Sequence, residues 1–211
     1  MVKVKICGIT NWHDARTAVD FGADAIGFVF AGSPRRVTPK KAKQIIEKIG
    51  PFVTTVGVFV NERADKVNEI AAFCGLGAVQ LHGDETQAYT KKLRCCKVIK
   101  AFRVGEGFSL KTALKFPADA YLFDTKVDGK YGGSGQSFDW NILNIEISKL
   151  TRDTEGEFSV ILSGGLHPDN VAEAVRVISP YGVDVSSGVE RLPGSKDPKL
   201  LREFIRNAKN A

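Results

Sequence analysis

Short β-branched apolar runs alternate with longer stretches whose apolar residues return every three or four positions, and this alternation repeats eight times along the 211 residues. Runs of the first kind fit strands buried on both faces, and stretches of the second kind fit helices with one apolar side. Val2 to Ile6 opens the series as a strand, and Asn11 caps a helix that runs through Phe21 and stops at Gly22. Asp24 to Phe30 is the second strand, and Thr38 with Pro39 supplies a cap and a first-turn proline for a helix reaching Ile49 and Gly50. Val53 to Val60 follows, with Asn61 opening a helix that ends near Gly75. Ala78 to Leu81 precedes a helix capped by Asp84 and running to about Arg94. Lys97 to Phe102 leads to a short helix from Ser109, and Ala120 to Asp124 leads through a glycine-rich loop to a helix from about Trp140. Phe158 to Leu162 with a helix from Pro168, then Val183 to Val185 with a helix behind Asp197 and Pro198, complete the eight units.

Strands that never follow one another without a helix between them must pair in parallel, because parallel neighbours need a crossover. Eight such units in 211 residues predict a single (β/α)8 TIM-barrel domain spanning residues 1–211. An open doubly wound sheet is the competing arrangement, yet its GxGxxG turn after the first strand is replaced here by Cys7-Gly-Ile-Thr-Asn11.

Composition narrows the function classes. With 43% hydrophobic and 26% charged residues the chain is neither disordered nor fibrous. Its longest apolar runs, such as Ala25 to Ala31, are too short to cross a bilayer, and the first residues enter strand-like alternation instead of a signal pattern. A soluble cytoplasmic protein is expected. Cys7, Cys74, Cys95 and Cys96 show no CxxC spacing, so neither a metal site nor a disulfide framework is expected. The net charge of +6 is spread through every segment, which suits a solvated surface and a mild pull on small anions better than a nucleic-acid stripe.

In a barrel of this kind the C-terminal ends of the strands carry the chemistry. In this chain those ends are Cys7, the loop Ala31 to Val37, Asn61, Gln80 with His82, Arg103, Asp124, Ser163-Gly164-Gly165 and Ser186-Ser187-Gly188. The last two segments, in adjacent units, allow backbone N–H groups to approach a phosphate. The loop from Asp128 to Asp139, with Gly133 among its four glycines, reads equally as a substrate lid or as surface slack. Cys7 and Asp124 place a thiol and a carboxyl on opposing sides of one mouth, as an acid and a base would stand. Taken singly, each has a plainer reading: Cys7 as a small buried apolar residue, Asp124 as a turn cap, Arg36 as a solvated cation and His82 as structural.

The stretches Lys5-Ile-Cys-Gly-Ile-Thr10, Ser33-Pro-Arg-Arg36, Val56-Gly-Val-Phe-Val-Asn61, Val79-Gln-Leu-His-Gly83, Leu162-Ser-Gly-Gly-Leu166 and Val183-Asp-Val-Ser-Ser-Gly-Val-Glu190 resemble, in order and in nearly every unit, the phosphoribosylanthranilate isomerase family of tryptophan biosynthesis. That resemblance implies an Amadori rearrangement of N-(5'-phosphoribosyl)anthranilate into the corresponding carboxyphenylamino-deoxyribulose phosphate. It aligns Asp124 with the family's general acid and Cys7 with its general base. Arg36 then matches the residue expected on the anthranilate carboxylate. Gly133, Gly164, Gly165, Ser187 and Gly188 fall to phosphate and lid, and Gln80 and His82 to the pocket wall. The acid has to hold a proton near neutral pH and the base has to reach the thiolate, two opposite demands on neighbouring sites. Neither a nicotinamide nor any other cofactor or metal is implied.

Two other readings remain at this point. A sister isomerase of histidine biosynthesis acts on a similar aminoaldose through two aspartates and two equivalent phosphate grips, whereas this chain carries Cys7 and one evident grip. A barrel that merely binds a phosphorylated metabolite would need no acid and base at separate strand ends. The sequence does not choose between a monomer and a homodimer, and no nucleic-acid or membrane partner is expected.

Overall fold

A computed structural model describes residues 1–94, 96–105, 107–125, 140–150 and 158–211 of the chain. Eight parallel strands, β1 (Lys3–Ile6), β2 (Ala25–Val29), β3 (Thr54–Phe59), β4 (Ala78–Leu81), β5 (Lys97–Val104), β6 (Ala120–Thr125), β7 (Val160–Leu162) and β8 (Gly182–Val185), pair in chain order and close on themselves through β8 and β1. The crossovers hold α1 (Trp12–Asp20), α2 (Pro39–Ile46), α3 (Ala64–Cys74), α4 (Gln87–Thr90), α5 (Leu110–Ala113), α6 (Trp140–Leu150) and α7 (Val171–Ile178), and α8 (Pro198–Lys209) follows β8. The expected (β/α)8 barrel is the observed fold. No helix among the described residues is long and apolar enough to cross a membrane.

Alternation along each strand divides the core in two. Val56, Ala78, Ile99, Ala101, Ala120, Leu122 and Ile161 point inward and fill the barrel, while a larger apolar layer, including Phe28, Phe59, Phe123 and Phe204, lies between strands and helices. The inner set mixes three alanines with four branched aliphatic residues.

Several predicted caps are in place. Asn11 accepts from the Asp14 amide, Thr38 from Lys41, Ser109 from Thr112, and Asp197 from Lys199 and Leu200. Other boundaries differ, each for a local reason. α2 stops at Ile46, and a turn follows before β3. Asn61 does not open α3, which begins at Ala64 behind Arg63. It stands in the left-handed region at φ 52° and accepts a 2.8 Å bond from the Asp84 amide. Asp84 is therefore not a cap either, and α4 is reduced to Gln87–Thr90 behind Thr86 because Glu85 is drawn inward. The Glu85 carboxylate accepts from the Asn61 and Gly83 amides and from the Lys100 ammonium. Pro168 lies in a turn ahead of α7, whose cap residue is Asn170. A hairpin, β9 (Glu190–Leu192) with β10 (Ser195–Lys196), follows β8 and was not expected.

Candidate active site

The first of the predicted side chains, Cys7, stands where β1 ends. The Cys7 amide donates to the Val185 carbonyl at 2.8 Å, which continues the β1–β8 ladder by one residue and turns the thiol inward. Gly27 on β2 makes the space: a Cβ there would lie 2.9 Å from Cys7 Sγ and 3.2 Å from the Lys5 stem. Burial pushes the thiol above its ordinary range, against the opposing pull of the Lys5 and Lys196 cations. The buried environment thus favours the thiol over the thiolate.

Beneath it runs a line of buried polar groups. Lys5 and Asp184 face each other in the β1–β8 register, and Lys5 Nζ lies 2.8 Å from Asp184 Oδ1 and 2.8 Å from Gln80 Oε1. Burial disfavours the ammonium, but the charge of Asp184, with smaller help from Cys7, outweighs it and raises the Lys5 pKa. The Ser163 hydroxyl donates to the second Asp184 oxygen at 3.3 Å. From Gln80 the line continues through Nε2 to His82 Nδ1 at 2.8 Å, and His82 Nε2 approaches Asp124 Oδ2 at 3.3 Å. Cys7 and Asp124, predicted from separate strand ends, are both buried at the same mouth and joined by this line.

The loops after β7 and β8 come together as expected. Gly164 and Gly165 both adopt positive φ, at 85° and 65°, a pair of conformations that glycine reaches without strain. A Cβ on Gly188 would strike the Leu166 carbonyl oxygen, so Gly188 is what lets the two loops touch. Ser187 opens a short 3-10 turn ending at Val189. Asn170 braces the first loop, accepting from the His167 amide at 2.8 Å and donating to the Gly165 carbonyl at 3.0 Å. The neighbouring Ser186 hydroxyl is buried and has no hydrogen-bond partner among the described residues.

Arg36 is exposed on the loop that follows β2 and forms no ion pair among the described residues. Arg35, beside it, is already committed. Its fork grips Glu190, with NH2 to Oε2 at 2.7 Å, and Glu190 also takes the buried Lys196 ammonium at 2.9 Å. Burial opposes ionisation of Glu190, yet these two cations hold its carboxyl below the usual range. Gly133 lies outside the described residues, as does the rest of its loop.

Lys5, Asp184, Gly27 and Asn170 were not singled out from the sequence. A signal existed for the first two: Lys5 shares the phase of Cys7, and Asp184 that of Ser186, so each is a charge on the inward face of an apolar strand. The opposite mouth also opens into a cavity, of about 800 Å³, lined by Lys3, Asp24, Thr54, Lys97 and Asp119. Its charges are already paired, Lys3 with Asp24 and Lys97 with Asp119, and it faces the N-terminal ends of the strands, where barrels carry stability and not catalysis.

Fold and mouth together define a (β/α)8-barrel enzyme with its reactive groups on the strand ends. The family model described as N-(5'phosphoribosyl)anthranilate (PRA) isomerase matches residues 4–207, and the chain belongs to that family. A curated N-(5'-phosphoribosyl)anthranilate isomerase of Trichlorobacter lovleyi is 50% identical over 100% of both chains. The crystal structure of phosphoribosyl anthranilate isomerase from Thermotoga maritima superimposes with a TM-score of 0.89 at 42% identity, covering 100% of each chain. A phosphoribosyl anthranilate isomerase in complex with reduced 1-(o-carboxyphenylamino)-1-deoxyribulose 5-phosphate superimposes with a TM-score of 0.86 at 42% identity, again over 100% of both.

Proposed function

We infer that the protein is the N-(5'-phosphoribosyl)anthranilate isomerase of L-tryptophan biosynthesis, with Asp124 as general acid and Cys7 as general base. Asp124 gives its proton to the furanose ring oxygen, the C1–O bond opens, and an iminium forms between C1 and the anthranilate nitrogen. Cys7 then takes the proton from C2, and the resulting enaminol tautomerises to the ketone. The reaction moves protons within one carbon skeleton, so oxidation at C2 is balanced by reduction at C1. Cys7 takes that proton only as the thiolate: its own proton leaves to solvent as the cationic iminium forms, and the iminium charge offsets the burial that favours the thiol.

Arg36 takes the anthranilate carboxylate through its planar fork. The glycine-serine loops, through Gly164, Gly165, Ser187 and Gly188, take the phosphate dianion, and Gly133 belongs to the loop that covers the substrate. His82 lines the pocket beside Asp124. Free thiols at Cys7 and Cys74 suit a reducing compartment, and we place the activity in the cytoplasm.

The observation that carries this reading is the convergence of Cys7 and Asp124, from strands far apart in sequence, on one buried polar line at the catalytic mouth. The test is the fluorescence decay of phosphoribosylanthranilate with the wild type, Cys7→Ala and Asp124→Asn. Each variant is expected to lose roughly 10²–10⁴-fold in kcat, the usual contribution of a general acid or base. A loss under about tenfold in either, with the fold intact, means that the residue replaced is not the proton donor or acceptor of the reaction.

A further inference from the structure

The line Lys5, Gln80, His82, Asp124 has only one chemically consistent direction. A lysine ammonium carries donors and no acceptor. The part of the Gln80 amide that lies 2.8 Å from Lys5 Nζ must therefore be the carbonyl oxygen, and the amide nitrogen is turned the other way. That nitrogen only donates, and it stands 2.8 Å from His82 Nδ1. Nδ1 is consequently the unprotonated, accepting atom of the ring. The one proton of the neutral imidazole sits on Nε2, 3.3 Å from Asp124 Oδ2. A second proton, on Nδ1, would set an N–H against the amide N–H, so the same amide opposes the imidazolium.

Resting on the assignment of Asp124 as general acid, we propose that Gln80 is a positioning residue, locked by Lys5, that keeps His82 as the neutral Nε2–H tautomer and so gives Asp124 an uncharged hydrogen-bond donor. An imidazolium in that place would favour the carboxylate and withhold its proton from the ring oxygen of the sugar. A neutral N–H favours the carboxylate far less than a full positive charge would, so the acid can keep its proton before the transfer and still meets a donor once the carboxylate has formed. The other charges nearby are paired: Asp184 with Lys5, Glu85 with Lys100, and Asp84 with Arg103. His82 Nε2 has no hydrogen bond of good geometry among the described residues, although Asp124 is within reach. Such contacts align as the reacting complex forms. Gln80, buried to 1% exposure, acts on the ring and not on the substrate.

The chain has three histidines, so nitrogen-15 NMR of histidine-labelled protein resolves the question, with His82 assigned by its absence in His82→Asn. The wild type at neutral pH is expected to show the His82 ring proton on Nε2 and none on Nδ1. Gln80→Leu, which offers Nδ1 no donor, should let the Nδ1–H tautomer appear beside the Nε2–H form. Gln80→Glu, which offers only acceptors, should draw the proton to Nδ1 or produce the imidazolium. Both should lower kcat by about tenfold or more with KM changed less than about threefold, the pattern of an interaction made in the transition state. An Nδ1–H or doubly protonated His82 in the wild type overturns the inference, and the wild-type spectrum decides this even if a variant fails to fold. Retention of the Nε2–H form in a folded Gln80→Glu overturns it as well. The two readings fail separately: a wrong tautomer with an inactive Asp124→Asn removes only the role of Gln80, whereas the expected tautomer with an active Asp124→Asn removes the acid and, with it, the purpose assigned to Gln80.

Discussion

Lys5 and Lys100 are both strand lysines buried almost completely, and each meets a carboxylate at 2.8 Å. Lys100 points outward from β5, near the Phe102 and Phe116 rings. It donates to the Leu81 and Gly83 carbonyls and to Glu85, which satisfies an ammonium completely. Lys5 points into the barrel. It donates to Asp184 and Gln80, and its remaining face is turned toward the Cys7 thiol. Burial and pairing are the same in the two cases, so neither marks a functional lysine. The third partner separates them: a backbone carbonyl fixes a loop, whereas the thiol is the group proposed above as the base.

The comparison breaks most visibly on activity. Lys5→Met removes the cation beside Cys7 and the lock on Gln80, and kcat is expected to fall on the order of 100-fold. Lys100→Met is expected to leave kcat of the folded protein within about tenfold of the wild type. Steady-state assays normalised to folded enzyme measure both. Equal losses in the two variants would mean that loop anchoring, not the chemistry around Cys7, is what each lysine contributes.

Stability should not separate them. Removing one partner of a buried pair strands the other, at about 3–5 kcal/mol. Asp184 would be left with the Ser163 hydroxyl, and Glu85 with the Asn61 and Gly83 amides. Urea unfolding of Lys5→Met and Lys100→Met should therefore give similar losses beside dissimilar activities. A loss under about 1 kcal/mol for Lys100→Met would show that its pair contributes no more than a surface bridge.

These two lysines also show what the sequence discloses and what it conceals. Strand and helix periods, with caps such as Asn11 and Asp197, are local properties, and they locate the barrel's elements. Cys7, Gln80, His82, Asp124 and the glycine loops are legible for a further reason, that a barrel concentrates polar residues at one end of its strands. Lys5 and Asp184 lie 179 positions apart and become neighbours only when β8 closes on β1. Read one strand at a time, each is a charge on an inward face whose partner is nowhere near it in sequence. The same holds for Glu85, which looks like part of a helix start until Lys100 is placed beneath it. The β9–β10 hairpin is too short to leave a period.

A smaller effect belongs to the Lys5 side alone. Cys7 and Lys5 both have pKa values raised by the fold, so the native protein keeps protons that the unfolded chain gives up in alkaline solution. The folded state then binds more protons than the unfolded state, and stability falls as pH rises. The contribution is complete below the unfolded thiol pKa and declines above roughly pH 8.5 as the folded values are approached. Thermal unfolding followed from neutral to alkaline pH should show the decline, and Cys7→Ala should reduce its early part, leaving the share of the Cys74 thiol, which burial also raises. An unchanged early part in Cys7→Ala would place the alkaline loss elsewhere.

The smallest effect is expected from a third lysine, Lys3, which shares a strand and a phase with Lys5 and Cys7. It stands at the opposite mouth with its side chain 55% exposed, 3.3 Å from Asp24. Asp24 does not depend on it, because the Val4 amide donates at 2.9 Å and Lys209 pairs at 3.0 Å. An exposed pair whose acidic member keeps two other partners contributes under about 1 kcal/mol. Lys3→Gln should accordingly leave urea stability within that margin and kcat within about twofold. A lysine with the same strand and the same phase would then have neither the stability effect of Lys100 nor the activity effect of Lys5, which isolates depth in the barrel as the variable. A large loss of kcat in Lys3→Gln would instead make the inward face of β1 a single electrostatic unit from one mouth to the other, and contact with the Cys7 thiol would no longer be what sets Lys5 apart.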